Sequence, residues 1–295
     1  MINLISDKNQ MLSKLCLSQK GMTYGKFMSL LKKKNIKING QKINKDIIIN
    51  NGDNIVIYGF DTVKKDNNHN DIIFYQDDNI IIVNKPKGIQ VKKEDVMDNK
   101  LCIEDYFPYA KCVHRLDRNT SGLVILAKNS AVEDELINAF KTHKIEKYYK
   151  VLCYGKFDSS HEVLKGYLTK NKDTKLSKIS TKKTPGSVEV ITEYNVLKDY
   201  GGVTLLEVKL ITGKTHQIRA HFYSINHSVV GDTKYQNKEY ILANKKNEKV
   251  IKSQCLVAYK IKFNFDENSL LNYLNEKEFI LDYNFEKEFK LMGLN

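Results

Sequence analysis

Residues 1–60 change from a helical to an alternating pattern of apolar positions. Apolar side chains at positions 27, 30 and 31 recur at the spacing of one helical face. Residues 36–38 alternate apolar and polar side chains and lead into Asn39-Gly40, a pair that favours a two-residue hairpin turn because both positions tolerate positive φ. A second turn at residues 51–53 precedes an apolar run at 55–58. We predict a small unit composed of a helix, a hairpin and a strand.

A polar stretch follows this unit. Residues 61–71 contain almost no apolar side chain, which is typical of a linker. We therefore divide the chain into a unit of residues 1–62, a linker of residues 63–70 and a larger body of residues 71–295.

The larger body contains many apolar runs of strand length and few helical patterns. One helix is predicted over residues 130–142, opened by a capping box of Ser130 and Glu133, and a second helix begins with Thr215 as its N-cap. The predicted strands are residues 71–75, 80–83, 123–127, 148–154 and 203–211. Because strands and helices do not alternate regularly, we expect an α+β fold with a mixed, largely antiparallel sheet and flanking helices.

Charge and cysteine content narrow the class of protein. The formal net charge of the 295-residue chain is +13, which favours a polyanionic partner, either nucleic acid or an anionic membrane surface. Compositional drift in a chain rich in Lys, Asn and Ile is the alternative explanation. The five cysteines form no C-x-x-C pair, so we expect neither a disulfide framework nor a metal site. Without an apolar run of membrane-spanning length or a signal pattern, the chain is expected in the cytoplasm and not at a membrane.

Arginine is confined to two short segments. Three of the 48 basic residues are arginines: Arg115 and Arg118 lie in residues 114–122, and Arg219 lies in residues 212–219. Lysine provides the simple positive charges elsewhere, so a remaining arginine is expected to use its planar, bidentate guanidinium. Chance clustering of three residues is the alternative. These two segments are therefore the first candidates for chemistry.

The first segment places Asp117 between two arginines, and Thr120-Ser121-Gly122 then supplies a turn with hydroxyl groups. A carboxylate beside guanidinium groups keeps its charge at neutral pH and can act as a base or a nucleophile. A purely structural Asp–Arg pair is the alternative.

The second segment contains Gly213-Lys214-Thr215, which invites comparison with a phosphate-binding P-loop. A P-loop needs a glycine five positions before Gly213, and that position is Val208. We therefore exclude a nucleoside-triphosphate site.

Residues 114–123, HRLDRNTSGL, resemble the signature of the RluA-type pseudouridine synthases. Further segments resemble motifs of that family in the same order, namely residues 83–88, 146–149, 212–221 and 231–235. The matches together span about residues 71–263. The small unit resembles an S4 RNA-binding domain through residues 36–40 and 52–53, and this pairing is typical of the RluC/RluD-like branch.

The resemblance implies an enzyme that isomerises uridine to pseudouridine in RNA without a cofactor. It implies that Asp117 is the essential carboxylate, which attacks the sugar, attacks the base or removes a sugar proton. Arg219 is implied to pair bidentately with Asp117 and so to aim it. Tyr149 is implied to stack on the uracil and to assist removal of the C5 proton, with a strand tyrosine packed in the core as its alternative.

The implied partner is RNA, foremost 23S rRNA with tRNA as an alternative, and no protein partner is implied. The candidate RNA-binding residues are Arg115, Arg118, Lys85, Lys87, Lys214 and His216 in the larger body and Lys32, Lys33, Lys34 and Lys37 in the small unit. A solvated lysine surface explains the cluster in the small unit equally well. An RNA-binding or ribosome-assembly protein that no longer catalyses is the alternative function, and an intact set of Asp117, Tyr149 and Arg219 favours the enzyme.

Overall fold

The structure, a computed structural model, describes residues 2–19, 22, 24–59, 69–93, 101–171, 174, 176–243, 251 and 253–294. The chain divides into two compact units, Met1–Asp71 with Glu94–Lys100 and Ile72–Lys93 with Leu101–Asn295. The predicted linker lies outside the described residues except for its last two positions, which open a 3-10 helix at His69–Ile72. None of the described helices has the length and apolar character needed to cross a membrane.

The described residues of the smaller unit form two α-helices and two small antiparallel sheets. Its elements are β1 (Ile2–Ile5), β2 (Gln10–Met11), α1 (Leu12–Leu17), α2 (Tyr24–Lys32), β3 (Ile36–Ile38), β4 (Gln41–Ile43), β5 (Ile48–Ile49) and β6 (Asn54–Ile57). One sheet has the order β1-β6-β3-β4, and β2 pairs with β5. The predicted helix, hairpin and strand are confirmed. Asn39 and Gly40 adopt φ values of 48° and 83°, as the tight turn requires.

The larger unit is organised around one eleven-stranded sheet. Its strands are β7 (Ile73–Gln76), β8 (Ile80–Lys85), β9 (Lys111–Cys112), β10 (Ser121–Ala127), β11 (Ile145–Tyr154), β12 (His161–Lys170), β13 (Ser177–Ser180), β14 (Val188–Asp199), β15 (Val203–Leu210), β16 (Leu256–Phe263) and β17 (Glu278–Ile280). The main path is β13-β12-β14-β15-β11-β16-β10-β8-β7, with β9 beside β10 and β17 beside β16. Among the described strands of this sheet, β10 and β16 form the one parallel pair, so the sheet is mixed and largely antiparallel as predicted.

The α-helices that accompany the sheet in the described part of this unit include α3 (Ile103–Tyr106), α4 (Ser130–Lys141), α5 (Gln217–Ser224) and α6 (Glu286–Met292). Alternation along each strand separates two cores. Tyr149 and Val151 of β11 pack in one cluster with Phe222 of α5, whereas Ile125 of β10 packs in another with Leu136 of α4. Tyr149 is therefore directed to the side of the sheet that α5 covers.

The predicted helix starts were each wrong by one residue. Asn129, not Ser130, is the N-cap of α4, because its side-chain oxygen accepts a hydrogen bond of 2.9 Å from the backbone N–H of Val132. His216, not Thr215, precedes α5, and its φ of 57° turns the chain sharply into the helix. The left-handed conformation of His216 places its imidazole ring at the start of α5.

Candidate active site

Asp117 lies in the loop between β9 and β10, and the neighbouring loop at residues 86–89 fixes that loop. The ammonium of Lys85, at the end of β8, donates hydrogen bonds to three carbonyl oxygens at 2.8–3.1 Å, those of Pro86, Ile89 and Arg118. Arg118 also exchanges hydrogen bonds with Gly88, through its Nε at 2.9 Å and its backbone oxygen at 2.8 Å. Backbone and side-chain bonds thus hold the residue after Asp117 in place.

Arg219, on α5, bonds two carboxylates at once. Its Nη1 donates to Oδ2 of Asp117 at 2.9 Å, while its Nε and Nη2 donate to the two oxygens of Asp232 at 2.6 and 2.9 Å. The bidentate partner of Arg219 is therefore Asp232, and the prediction of a bidentate pair with Asp117 was wrong. The physical reason is burial: Asp232 is 0% exposed, and a buried carboxylate needs a close cation.

Asp232 acts as the anchor of the arginine. Its Oδ1 also accepts hydrogen bonds from the backbone N–H groups of Lys234 and Tyr235 at 2.8 and 3.1 Å. Burial opposes the charge of Arg219, but the hydrogen bonds and charge of Asp232, with those of Asp117, raise the pKa of the guanidinium above its ordinary value. Arg219 therefore stays charged and presents one fixed N–H to Asp117.

Tyr149, on β11, is buried and lines the same cavity as Asp117. Burial and, next, the charge of Asp117 raise the pKa of its hydroxyl well above the ordinary value. The phenol is therefore neutral at physiological pH. It offers a flat, uncharged ring and a hydroxyl group to whatever enters the cavity.

The cavity has a volume of about 650 Å³, which suits a ligand of nucleotide size. Its polar lining includes Arg115, Asp117, Lys214, His216 and Arg219. Leu116, Ile218 and Leu256 provide apolar wall. A carboxylate held by a cation thus lies beside a neutral aromatic ring in a partly apolar cavity, an arrangement suited to chemistry on a planar base and its sugar.

His216 joins this set through Tyr235. Its Nδ1 lies 2.9 Å from the hydroxyl of Tyr235, which accepts a hydrogen bond from the backbone N–H of Ser177 at 2.8 Å, and its Nε2 lies 3.9 Å from Oδ2 of Asp117. Because Ser177 supplies one hydrogen to that hydroxyl oxygen, the hydroxyl is free to donate its own to Nδ1. Burial lowers the pKa of His216, although the charge of Asp117 opposes this, so the neutral ring is favoured.

Comparison with known proteins decides the family. The profile described as RNA pseudouridylate synthase matches residues 79–224. The ribosomal large subunit pseudouridine synthase C of Buchnera aphidicola is 31% identical over 261 residues, which cover 82% of each chain. An uncharacterized RNA pseudouridine synthase of Mycoplasma capricolum is 32% identical over 85% of this chain and 86% of its own. This chain belongs to the RNA pseudouridylate synthase family.

The solved structure of human RNA pseudouridylate synthase domain containing 4 resembles this chain in fold. It has a TM-score of 0.62 and 21% identity, and covers 77% of this chain and 94% of its own. The ribosomal large subunit pseudouridine synthase D of Borreliella burgdorferi is 31% identical over 71% of this chain and 66% of its own. The predicted membership of the RluA-type, RluC/RluD-like synthases is confirmed, and with it the prediction of an isomerase with the pseudouridine synthase fold.

The candidate RNA-binding residues of this synthase occupy different environments. The prediction for Lys85 was wrong, because its side chain is 0% exposed and fully used by the three carbonyl groups. Burial lowers its pKa to about 8, and the charge of Asp117 partly offsets that effect. Arg118 is exposed, but its Nε binds Gly88. Lys87 is half-buried, with its Nζ 3.5 Å from a carboxylate oxygen of Glu288.

The remaining candidates are exposed, except for Lys37. Arg115 and Lys214 are exposed and line the cavity. In the smaller unit, residues 32–34 are exposed, whereas Lys37 is half-buried with its Nζ 5.2 Å from the centre of the Tyr58 ring. RNA binding by these residues stays a prediction.

Two residues of the site were missed by sequence reasoning. Asp232 is the single acidic residue of the matched segment 231–235. An acid in a matched segment is a candidate partner for Arg219, and this was the available signal. Lys147 also lines the cavity, two residues before Tyr149 on β11. Its place in the matched segment 146–149 was the signal, but nothing in the sequence distinguished it from the other lysines.

Proposed function

We propose that this synthase converts specific uridines of 23S rRNA to pseudouridine, with Asp117 as the reacting carboxylate. The names of its relatives support ribosomal RNA, since several are called ribosomal large subunit pseudouridine synthase C or D. The net charge of +13 supports a polyanionic substrate. tRNA is the alternative substrate.

The observation that carries this proposal is the contact between Asp117 and Arg219 inside a cavity of nucleotide size. The reaction breaks the bond from C1′ to N1, turns the uracil and forms a bond from C1′ to C5. C5 loses a proton and N1 gains one, so the product is an isomer of the substrate. Asp117 attacks the sugar, attacks the base or removes a sugar proton, and the hydrogen bond from Nη1 of Arg219 holds the carboxylate in place in each case.

The target uridine must leave its stack to reach Asp117, at a cost of a few kcal/mol in a helical segment. The neutral ring of Tyr149 would stack on the uracil, and its hydroxyl would assist the loss of the C5 proton. Arg115, exposed at the cavity, would fill the space that the uridine leaves.

The decisive experiment is tritium release from a 23S rRNA transcript labelled at uridine C5. Wild type should release tritium, whereas Asp117→Asn should release none and bind the RNA within a few-fold of wild type. Retained activity in the variant would exclude the catalytic assignment. If wild type releases none from 23S rRNA, total RNA from cells lacking the protein separates a tRNA substrate from a protein that only binds RNA.

We further propose that residues 1–62 form an S4-like RNA-binding domain. Three exposed lysines, Lys32, Lys33 and Lys34, support this role. A chain that lacks residues 1–62 should bind the transcript at least about tenfold more weakly, because several phosphate contacts are lost. Unchanged affinity in a truncated chain that still folds would contradict the assignment.

A further inference from the structure

Lys147 is a charged group of the cavity that the proposed reaction does not use. It lies on β11 two residues before Tyr149, and both side chains line the cavity. Its side chain is half-buried, with the ammonium 5.0 Å from the centre of the Phe140 ring. Burial lowers the pKa of Lys147 to about 8, which still leaves the ammonium mainly charged at neutral pH.

The counter-charge of this ammonium is missing from the described part of the chain. No carboxylate among the described residues forms an ion pair with Lys147, although other lysines, such as Lys209 with Glu146, do so. A desolvated ammonium is costly unless a negative group meets it. The ring of Phe140 compensates part of that cost, but it is not a negative charge.

Gly213 keeps the space beside this ammonium open. A Cβ atom at position 213 would lie 3.1 Å from Nζ of Lys147, which is tighter than an ordinary contact. The φ of Gly213 lies outside the left-handed region, so backbone conformation does not require glycine there. The missing side chain therefore matters for the space around Lys147.

The composition of the cavity identifies an anionic ligand group. Lys214, next to Gly213, is exposed and lines the same cavity, as does Arg115. Two acidic residues line it as well, Asp117, which is already bonded to Arg219, and Glu189. Alternate residues of a strand are roughly 7 Å apart, so Lys147 is suited to contact the backbone of a nucleotide whose base lies on Tyr149.

We propose that Lys147 binds a phosphate group of the RNA strand inside the cavity and that Gly213 leaves the room for this contact. Lys147 is then a substrate-binding residue that fixes the target nucleotide by its backbone. The inference rests on the proposed function, because it takes RNA as the ligand of the cavity.

The salt dependence of RNA binding tests this contact. The dissociation constant for the 23S rRNA transcript is measured at pH 7 and several salt concentrations for wild type and Lys147→Met. We expect about tenfold weaker binding, and a plot of log affinity against log salt less steep by about 0.7 to 0.9, as for the loss of one phosphate contact. Lys147→Arg should restore most of the slope.

Lys150→Met is the matched control. Lys150 lies on the same strand and its ammonium is likewise 5.0 Å from a ring centre, that of Tyr259, but it does not line the cavity. The Lys150→Met variant should leave the salt slope of RNA binding unchanged, because it removes a cation from an aromatic ring without removing a phosphate contact.

A second variant keeps the test sharp if Lys147→Met folds poorly. Gly213→Ala should raise KM several-fold with little change in kcat, since its methyl group displaces the ammonium. In the Lys147→Met background the same change should have no further effect, because the two act through one contact. Additive effects would contradict the proposal.

The outcomes separate this inference from the proposed function. Wild type that releases tritium through Asp117, together with an unchanged salt slope in Lys147→Met, would overturn the phosphate contact and leave the function standing. A lower kcat in Lys147→Met with unchanged KM and slope would also overturn it. An altered slope without tritium release by wild type would support the contact and contradict the reaction on 23S rRNA.

Discussion

At the scale of single residues, the site depends on how one guanidinium is shared. Arg219 uses its Nε and Nη2 for the buried Asp232 and keeps Nη1 for Asp117. A lysine in its place has no rigid fork and would not hold both carboxylates in this geometry. The anchoring carboxylate therefore determines stability, whereas the carboxylate in the cavity remains available to the substrate.

We predict that Asp232→Asn and Asp117→Asn separate stability from activity. Asp232→Asn leaves the buried Arg219 without its main counter-charge and should cost about 3–5 kcal/mol of unfolding free energy along with activity. Asp117→Asn should abolish activity at a cost below about 1 kcal/mol, because Arg219 keeps Asp232. Urea unfolding and tritium release measure both quantities. Equal losses of stability in the two variants would contradict this division of roles.

The sequence predicted which residues form this site better than it predicted the hydrogen bonds between them. Asp117, Tyr149 and Arg219 line one cavity, as their places in matched motifs implied. Lys85 shows the limit of prediction from sequence. Its burial depends on the loops that surround it, and its local sequence would be the same if it bound a phosphate group instead of three carbonyl oxygens. The bidentate pair of Arg219 with Asp232 was equally unpredictable, since it depends on how two separate segments of the chain meet in the fold.

At the scale of elements, the position of Asp117 depends on a close approach between two strands. Gly122 lies in the parallel contact of β10 with β16, opposite Ala258. Its φ is 114°, and a Cβ atom there would overlap the carbonyl oxygen of Ala258. Glycine thus allows the strand after the Asp117 loop to reach the centre of the sheet.

We predict that Gly122→Ala severely destabilises the larger unit, by more than about 2 kcal/mol, and reduces activity with it. Gly186→Ala is the control, because Gly186 also has a positive φ, 75°, but a Cβ atom there would meet nothing within 4 Å. The difference in unfolding free energy between the two variants therefore measures the contact with Ala258. Equal destabilisation would show that conformation alone requires glycine at position 122.

Elements were predictable where the local pattern was strong. Strand β11 and helix α4 have marked apolar periodicity and were found. Strand β14 was not named, although Val190, Thr192 and Tyr194 alternate with less buried residues, because its flanking positions are polar. The order of the sheet was beyond local reasoning, since β10 pairs with β16 across more than a hundred residues.

At the scale of the whole molecule, burial favours the neutral form of His114 and His221, as it does for His216 in the cavity. Burial, with a smaller effect of Lys147, lowers the pKa of His114 to about 3, and its Nε2 accepts a hydrogen bond of 2.9 Å from the backbone N–H of Ile125. Burial lowers the pKa of His221 to about 4, and its Nδ1 lies 2.8 Å from the hydroxyl of Thr192. In the unfolded chain, the pKa of both rings returns to about its ordinary value of 6.5.

We predict that stability falls as pH drops through 6.5. Between about pH 4 and 6.5 the unfolded chain binds more protons than the folded protein, so the unfolding free energy rises with pH in that window. Each histidine should cost about 2 kcal/mol at pH 5 relative to pH 7.5. Lys85 and Lys147, with pKa values of about 8, are protonated in both states below pH 7 and contribute little there.

Urea unfolding of the larger unit between pH 5 and 7.5 measures this dependence, with His221→Gln as the matched variant. The glutamine cannot titrate, so the loss of stability between pH 7.5 and pH 5 should shrink by about 2 kcal/mol. A variant with the same pH dependence as wild type would mean that His221 is protonated in the folded state. A flat profile in the wild type would show that neither ring is kept neutral by burial.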